Sequence, residues 1–186
     1  MSSIIYSMMV SLDGFVARPD GALDWVRIDD ELHSFANRQE RKIGTMLYGR
    51  RMYELMAGYW PTADRNPSTP AVEVEYARIW RDKPKIVFST TLDRVDWNAT
   101  LMRDVVADEI VRLKARPDND MSVGGRTLAA TLMQLDVIDE YQLIVQPVIL
   151  GHGLPFWSPV STTLKIQLVE TRRFRSGVMS LRYLRA

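Results

Sequence analysis

Two glycines closing a short apolar run constrain this chain more than any other feature. Met121-Ser122-Val123 reads as a buried strand and Gly124-Gly125 ends it. Leu128, Leu132 and Leu135 then recur at i, i+4 and i+7, the spacing of one helical face. A turn over residues 136–140 follows, and Tyr141-Gln142-Leu143-Ile144-Val145 runs on as a second strand. Strand, glycine turn, helix and strand in that order are the commonest way for an α/β protein to offer backbone N–H groups and a helix N-terminus to a phosphate. Paired glycines also serve simply to let a strand turn tightly into a helix, so the motif takes its meaning from the rest of the chain.

Strand-like and helix-like segments alternate almost throughout, which predicts an α/β fold with a largely parallel sheet. Ile4 to Val10 is a first strand, and the loop from Ser11 to Asp24 carries Gly14, Pro19 and Gly21. A helix over Asp30 to Lys42 turns Leu32, Phe35, Ala36 and Ile43 inward. Thr45 to Tyr48 forms a strand ended by Gly49, and Arg50 to Met56 a short helix. Thr69-Pro70 opens a further helix with a cap and a first-turn proline, its buried face being Val72, Tyr76, Ile79 and Trp80. Lys85 to Phe88 is a strand that runs into Ser89-Thr90-Thr91. A helix near Asp104 to Ala115, with Val106, Ile110 and Leu113 inward, leads through a turn at Pro117-Asp118-Asn119-Asp120 to the paired glycines. Leu164 to Phe174 and Val178 to Leu184, split by Ser176-Gly177, predict an antiparallel hairpin that makes the sheet mixed. No repeat or linker divides the 186 residues, so one domain is expected over 1–186.

Composition narrows the chemistry by exclusion. Hydrophobic residues at 46% and charged residues at 25% suit a globular chain. A net charge of +1 calls for neither nucleic acid nor an anionic membrane, while local arginine clusters still suit small anions. Cysteine is absent, which excludes disulfides, thiolate zinc sites and a cysteine nucleophile and fits a reducing cytoplasmic setting. His33 and His152 lie far apart, so no metal site is expected. The apolar start is short, lacks a basic lead-in and runs into Asp13, which suits a strand rather than a signal peptide or membrane span. A Gly-x-Gly-x-x-Gly fingerprint, a lysine-bearing phosphate loop and a serine hydrolase elbow are all missing.

What remains is a set of strand ends. Tyr48-Gly49-Arg50-Arg51, Phe88-Ser89-Thr90-Thr91 and Val123-Gly124-Gly125-Arg126 each place small, hydroxyl or guanidinium residues where a predicted strand stops. In an open α/β sheet the ligand crevice lies beyond the carboxyl ends of the strands. Glycine lets the backbone approach, hydroxyls hydrogen-bond, and arginine contacts phosphate through charge-assisted pairs. A ligand with several phosphates, such as a dinucleotide, fits these ends better than a bare metabolite. A site poor in nucleophiles and metal ligands suits hydride transfer, where the cofactor carries the reactive atom.

The order Ser11-Leu12-Asp13-Gly14-Phe15-Val16-Ala17, Gly49-Arg50-Arg51-Met52-Tyr53-Glu54, Ile86-Val87-Phe88-Ser89 and Gly124-Gly125-Arg126-Thr127-Leu128 resembles the dihydrofolate reductase superfamily. Within it, the chain is most similar to the C-terminal reductase domain of the bacterial riboflavin-biosynthesis deaminase-reductase, over nearly its whole length. The resemblance implies a three-layer α/β/α sandwich, with a mixed, mostly parallel sheet and a C-terminal antiparallel hairpin. It also implies NADPH lying across the strand ends. Gly49, Arg50 and Arg51 would then meet the adenosine phosphates, Ser89 and Thr90 the 2′-phosphate, and Gly124, Gly125, Arg126, Thr127 and Leu128 the pyrophosphate. Val10, Val16 and Ala17 would flank the nicotinamide.

On the substrate side, the resemblance implies a pterin- or pyrimidine-type heterocycle near Trp25, Asp30 and Phe35. Asp30 would be a half-buried carboxylate that donates or relays a proton. The same position suits a helix N-cap region, where acidic residues stabilise the dipole. The chain differs from the riboflavin-pathway reductases at Val123, where they carry glutamate, and from dihydrofolate reductases in having Asp24-Trp25 for their Pro-Trp. Two other readings stay open: a non-catalytic NADP-binding protein, and a reductase of another small molecule. Leu154-Pro155-Phe156-Trp157 and the hairpin either join two copies in a homodimer, as in similar proteins, or close the core.

Overall fold

Alternating runs of this kind bury two faces of one sheet, and a computed structural model of the chain shows how. It describes residues 1–117, 119–159 and 163–186, so Asp118 of the expected turn lies outside the described residues. In chain order the elements are β1 (Ile4–Ser11), β2 (Phe15–Ala17), α1 (Asp30–Lys42), β3 (Thr45–Gly49), α2 (Arg50–Tyr59), a 3₁₀ segment (Trp60–Arg65), α3 (Ala71–Asp82), β4 (Lys85–Phe88), β5 (Ala99–Met102), α4 (Ala107–Lys114), β6 (Met121–Gly124), α5 (Arg126–Gln134), β7 (Glu140–Gln146), β8 (Leu154–Pro155), β9 (Ile166–Arg173) and β10 (Met179–Arg185).

The main sheet has eight strands in the order β5-β4-β3-β6-β1-β7-β10-β9. The six from β5 to β7 are parallel, and the β9–β10 hairpin adds two antiparallel strands at the β7 edge. This is the expected α/β architecture with its mixed sheet. Side chains alternate across it as strand geometry requires. Met46, Tyr48 and Val87 point to one face, where they meet Tyr53 of α2 and Tyr76 and Trp80 of α3. Further along that face, Leu32 and Phe35 of α1 pack on Ile144, Phe174 and Val178. Ile4, Tyr6, Leu47, Met121 and Val123 point to the other face, against Ile110 and Leu113 of α4 and Leu128, Leu132 and Met133 of α5. Each fully buried aliphatic or aromatic side chain contributes roughly 1.5–3 kcal/mol, so the layers are held chiefly by this burial.

Several local expectations are corrected. Val106 is the N-cap of α4, not part of its inner face, and is 46% exposed. Thr69 does not cap α3. Its hydroxyl donates to the Ala63 carbonyl at 2.7 Å, and Pro70 takes the cap position without a side-chain bond. The expected strands omitted β5 and the small β2–β8 pair. That pair joins Phe15 to Pro155 and Ala17 to Leu154. Phe156 is fully buried and stacks on Tyr6 at 4.4 Å, so it closes the core, whereas Trp157 stays 37% exposed beside Tyr141.

Candidate functional site

Because β4, β3, β6 and β1 are parallel neighbours, their carboxyl ends share one edge. Tyr48 pairs with Val87 on one side and Gly124 on the other, which sets Gly49, Ser89 and Gly125 beyond three adjacent strand tips. The chain then divides. After Gly49, α2 turns onto the Tyr53 face; after Gly125, α5 turns onto the opposite face. Divergent connections from neighbouring strands mark the edge at which open α/β sheets take their ligands.

The three helix starts around this edge differ in a telling way. Asp29 caps α1, its carboxylate accepting from the Leu32 N–H at 2.8 Å, and Asp30 and Glu31 follow in the first turn. α2 and α5 are capped by Gly49 and Gly125, neither with a side-chain bond, and neither has an acidic residue in its first turn. Among the described residues their first N–H groups therefore have no side-chain cap, and no acidic residue of the first turn offsets either positive dipole end. Two such ends on adjacent strands suit a ligand carrying more than one anionic group.

The two glycines of the motif have separate reasons. A Cβ on Gly124 would lie 2.5 Å from Tyr48 Cε1 and 3.1 Å from Met52 Cγ, so that position is filled by packing. Gly125 has φ +96°, a conformation that favours glycine, and lets the chain turn into α5. Arg126 donates through Nε to the Pro155 carbonyl at 3.1 Å, tying α5 to β8. The Leu128 side chain is buried in the core, so only its backbone is available to a ligand. Val123 also sits in that core, 2% exposed. Thr127, Arg50 and Arg51 are exposed. Arg50 makes a loose pair with Glu54 at 3.7 Å. Ser89 is buried and its hydroxyl accepts from the Thr91 and Leu92 amides at 3.2 and 3.0 Å, which leaves Thr90 exposed at the apex of the turn. Arg103, at the end of β5, was not singled out by the sequence; the strand before it is only four residues long.

The substrate-side residues are less closely gathered. Val10, Val16 and Ala17 are buried where β1 and β2 flank the edge. Ser11 donates to Asp13 at 2.7 Å, and the Asp13 carboxylate accepts from the Leu150 and Gly151 amides at 3.1 and 2.7 Å. Asp13 thus clasps two loops, and the Ser11 hydroxyl bond, followed by these amides, holds its carboxyl below the usual carboxylate range. Trp25 is buried, and its Nε1 is a buried side-chain donor with no partner among the described residues. Asp30 is exposed at the start of α1 rather than half-buried. Phe35 does not face a pocket: its ring is 6% exposed and packs edge-on against Phe174 at 5.2 Å. A separate cavity of about 610 Å³ lies on the flank of α3, lined by Arg41, Glu75, Arg78 and Asp82 among others, away from the strand tips. Among the described residues no helix is long and apolar enough to cross a membrane.

Layers and strand order together define a dihydrofolate-reductase-like α/β sandwich. Residues 2–180 match the model of the RibD C-terminal domain, and the chain belongs to that reductase family. Two Bacillus subtilis (strain 168) relatives agree along almost the full length: the uncharacterized protein YyaP, 34% identical over 97% of this chain and 93% of its own, and the uncharacterized protein YwjB, 28% identical over 99% and 98%. The fold is shared with the crystal structure of a putative riboflavin biosynthesis protein from Shewanella sp. PV-4, at TM-score 0.76 and 20% identity over 99% of both chains. It is also shared with a diaminohydroxyphosphoribosylaminopyrimidine deaminase/5-amino-6-(5-phosphoribosylamino)uracil reductase from Thermotoga maritima. There the TM-score is 0.67 at 18% identity, covering all of this chain and 57% of the other.

Proposed function

We propose that this chain is an NADPH-dependent reductase that passes a hydride to a flat nitrogen heterocycle of pterin or pyrimidine type. The observation that carries it is the pair of glycine-capped, acid-free helix N-termini on adjacent strands, whose N–H groups and dipoles suit the phosphates of a dinucleotide. Gly49 fits this role, since a Cβ there would meet only Leu128 Cβ, at 3.8 Å, and the backbone lies open to a ligand. Arg50, Arg51 and the exposed Thr90 would hold the adenosine end, and residues 124–128 the pyrophosphate through their backbone. Val10, Val16 and Ala17 would border the nicotinamide, which supplies the hydride.

The heterocycle would lie beside Trp25, whose buried indole N–H has no partner among the described residues. Asp30, exposed at the start of α1, would be the carboxylate that delivers or relays the proton. Family membership and the reductase activity of the Thermotoga maritima neighbour support this reading. We also place the protein in the cytoplasm, as a homodimer joined through the β9 edge, where Leu168 and Val169 are 47% and 41% exposed.

Fluorescence titration with NADPH, followed by NADPH oxidation with dihydrofolate, pterins and the ribosylamino-pyrimidine, tests the proposal. Saturable binding with turnover of one of these heterocycles is the expected result. Binding with no turnover of any of them would leave a non-catalytic NADP-binding protein, and absence of binding refutes both.

A further inference from the structure

We propose that the outward face of α3 docks against the same face of a second copy of this chain, through an interface separate from the β9 edge. α3 packs over β3 and β4, where Tyr76 and Trp80 meet Met46, Tyr48 and Val87, and β9 is the opposite edge of the same sheet. The groove of about 610 Å³ on its flank is bordered along this helix by Ala71, Val74, Glu75, Arg78, Ile79 and Asp82. Steps of three and four residues put them on one stripe. Their positions also mirror one another about the midpoint between Tyr76 and Ala77. Laid antiparallel across a twofold axis at that midpoint, two copies bring Glu75 opposite Arg78, Val74 opposite Ile79 and Ala71 opposite Asp82, each pairing occurring twice. Opposite charges then meet at the centre, with apolar side chains directly beside them.

The charged groups are set for such a contact. Asn37 Nδ2 donates to Glu75 Oε2 at 2.9 Å and Arg41 pairs with Oε1, so the carboxylate is held in place, yet the Glu75 side chain stays 32% exposed. Arg78 is exposed, and among the described residues no carboxylate lies within ion-pair distance of its guanidinium. A twofold axis gives each Arg78 the Glu75 of the other copy. Ala71 is exposed at the helix start, where Pro70 caps without a side-chain bond, so Asp82 of the second copy would face a positive dipole end across a small residue. A simple ion suits the groove less well: Arg41 and Arg78 against Glu75 and Asp82 leave no net charge to attract it. The same alternation of charge, reversed, is what a second copy presents. Two helices of 12 residues, each about 18 Å long, cover less than the roughly 1,200 Å² of a standard interface. Alone, this contact should therefore be weak, with a Kd of about 10–100 μM.

The test is sedimentation velocity on the full chain carrying Val169→Lys, which silences the β9 edge, with circular dichroism to monitor folding. A reversible dimer is expected in this background across the Kd range above. It should weaken about threefold when salt rises from about 0.05 to about 0.5 M, because the central ion pairs are exposed. Arg78→Glu sets like charges opposite each other and should weaken association at least about tenfold, whereas Arg78→Lys should stay within about threefold of its parent. Val74→Glu puts a charge into the apolar pair and should also cost at least about tenfold, and it decides alone if Arg78→Glu does not fold. A chain that stays monomeric throughout leaves the groove to some other occupant and overturns the inference. The β9-edge homodimer stands or falls separately, on the same measurement made without Val169→Lys. A dimer that tolerates both Arg78→Glu and Val74→Glu also overturns the inference.

Discussion

Glu40 should make this protein less stable as pH rises through the range where most proteins are indifferent. It lies near the end of α1 against β6, with its carboxylate accepting one long bond, 3.5 Å, from the Ser122 hydroxyl. Burial pushes its pKa from 4.5 up to about 7; the Ser122 bond and the Lys83 charge offset only part of that. Because the folded state holds the proton more tightly than the unfolded chain, folding takes up a proton between those values. Stability is then unaffected below about pH 4.5, falls as pH rises, and reaches its full loss above about pH 7. A displacement of about 2.5 units at 1.36 kcal/mol each is worth about 3 kcal/mol. Glu40→Gln removes the ionisation with little change of shape. The variant should match wild type near pH 4.5 and exceed it by up to about 3 kcal/mol at pH 8, a shift of about 1–2 M in the urea midpoint. Taking the difference between the two proteins at each pH cancels the titrations that are not coupled to Glu40. That includes Lys85, whose buried ammonium is lowered to about 8 by desolvation and acts in a higher window. A difference that stays flat from pH 5 to 8, or a variant less stable at pH 8, would refute the argument.

Three further outcomes follow from the geometry. Gly124→Ala should cost about 1–3 kcal/mol in urea melts, because its Cβ would collide with the Tyr48 ring, whereas Gly49→Ala should change stability by less than about 1 kcal/mol and show its effect on NADPH affinity instead. Asp13→Ala should speed amide hydrogen exchange at Leu150 and Gly151 by about tenfold or more, since its carboxylate accepts from both. Asp30→Asn should lower turnover at least about tenfold with little change in NADPH affinity if that carboxylate delivers the proton, and an unchanged rate removes it from the mechanism.

Periodicity revealed the long elements because burial imposes it. The Leu128/Leu132 face, the Asp30–Lys42 helix and the hairpin split at Ser176-Gly177 all lie where their patterns predict. Elements fixed by partners rather than pattern were not legible. β2 and β8 have three and two residues, and exist only because each supplies the other's hydrogen bonds. β5 is an exposed edge beginning just after Trp97 and Asn98, both at positive φ, and no apolar alternation marks it. Asn37 reads as a surface residue, yet it is fully buried because its amide bridges to the Val72 carbonyl and Glu75 of α3. At the site, the glycine turns were visible in the sequence. The packing reason for Gly124, the bonds from Arg103 to the Ser89 and Leu92 carbonyls and the core position of Phe35 all depend on which strands become neighbours.

That neighbourhood also separates the proposed cofactor contacts from the proposed substrate contacts. The proposed cofactor contacts at the adenosine and phosphate end come from the ends of β3, β4 and β6, whereas the proposed substrate contacts, Trp25 and Asp30, come from the loop that leads into α1 and from its first turn. The substrate-side loops are fixed by bonds to backbone atoms. Asp13 holds the amides of residues 150 and 151, the Gln146 amide holds the Arg27 carbonyl at 3.1 Å, and Arg126 holds the Pro155 carbonyl. None of these bonds depends on the exposed apolar side chains nearby: Leu12 is 64% exposed, Ile28 49% and Ile149 70%. Replacing such side chains usually changes stability by no more than about 0.5 kcal/mol, yet it would remodel any surface that a heterocycle rests on. Substrate preference can therefore change at Leu12, Ile28 and Ile149 while the glycine-capped helix starts stay fixed, and swaps at those three positions should alter KM for the heterocycle without altering the affinity for NADPH.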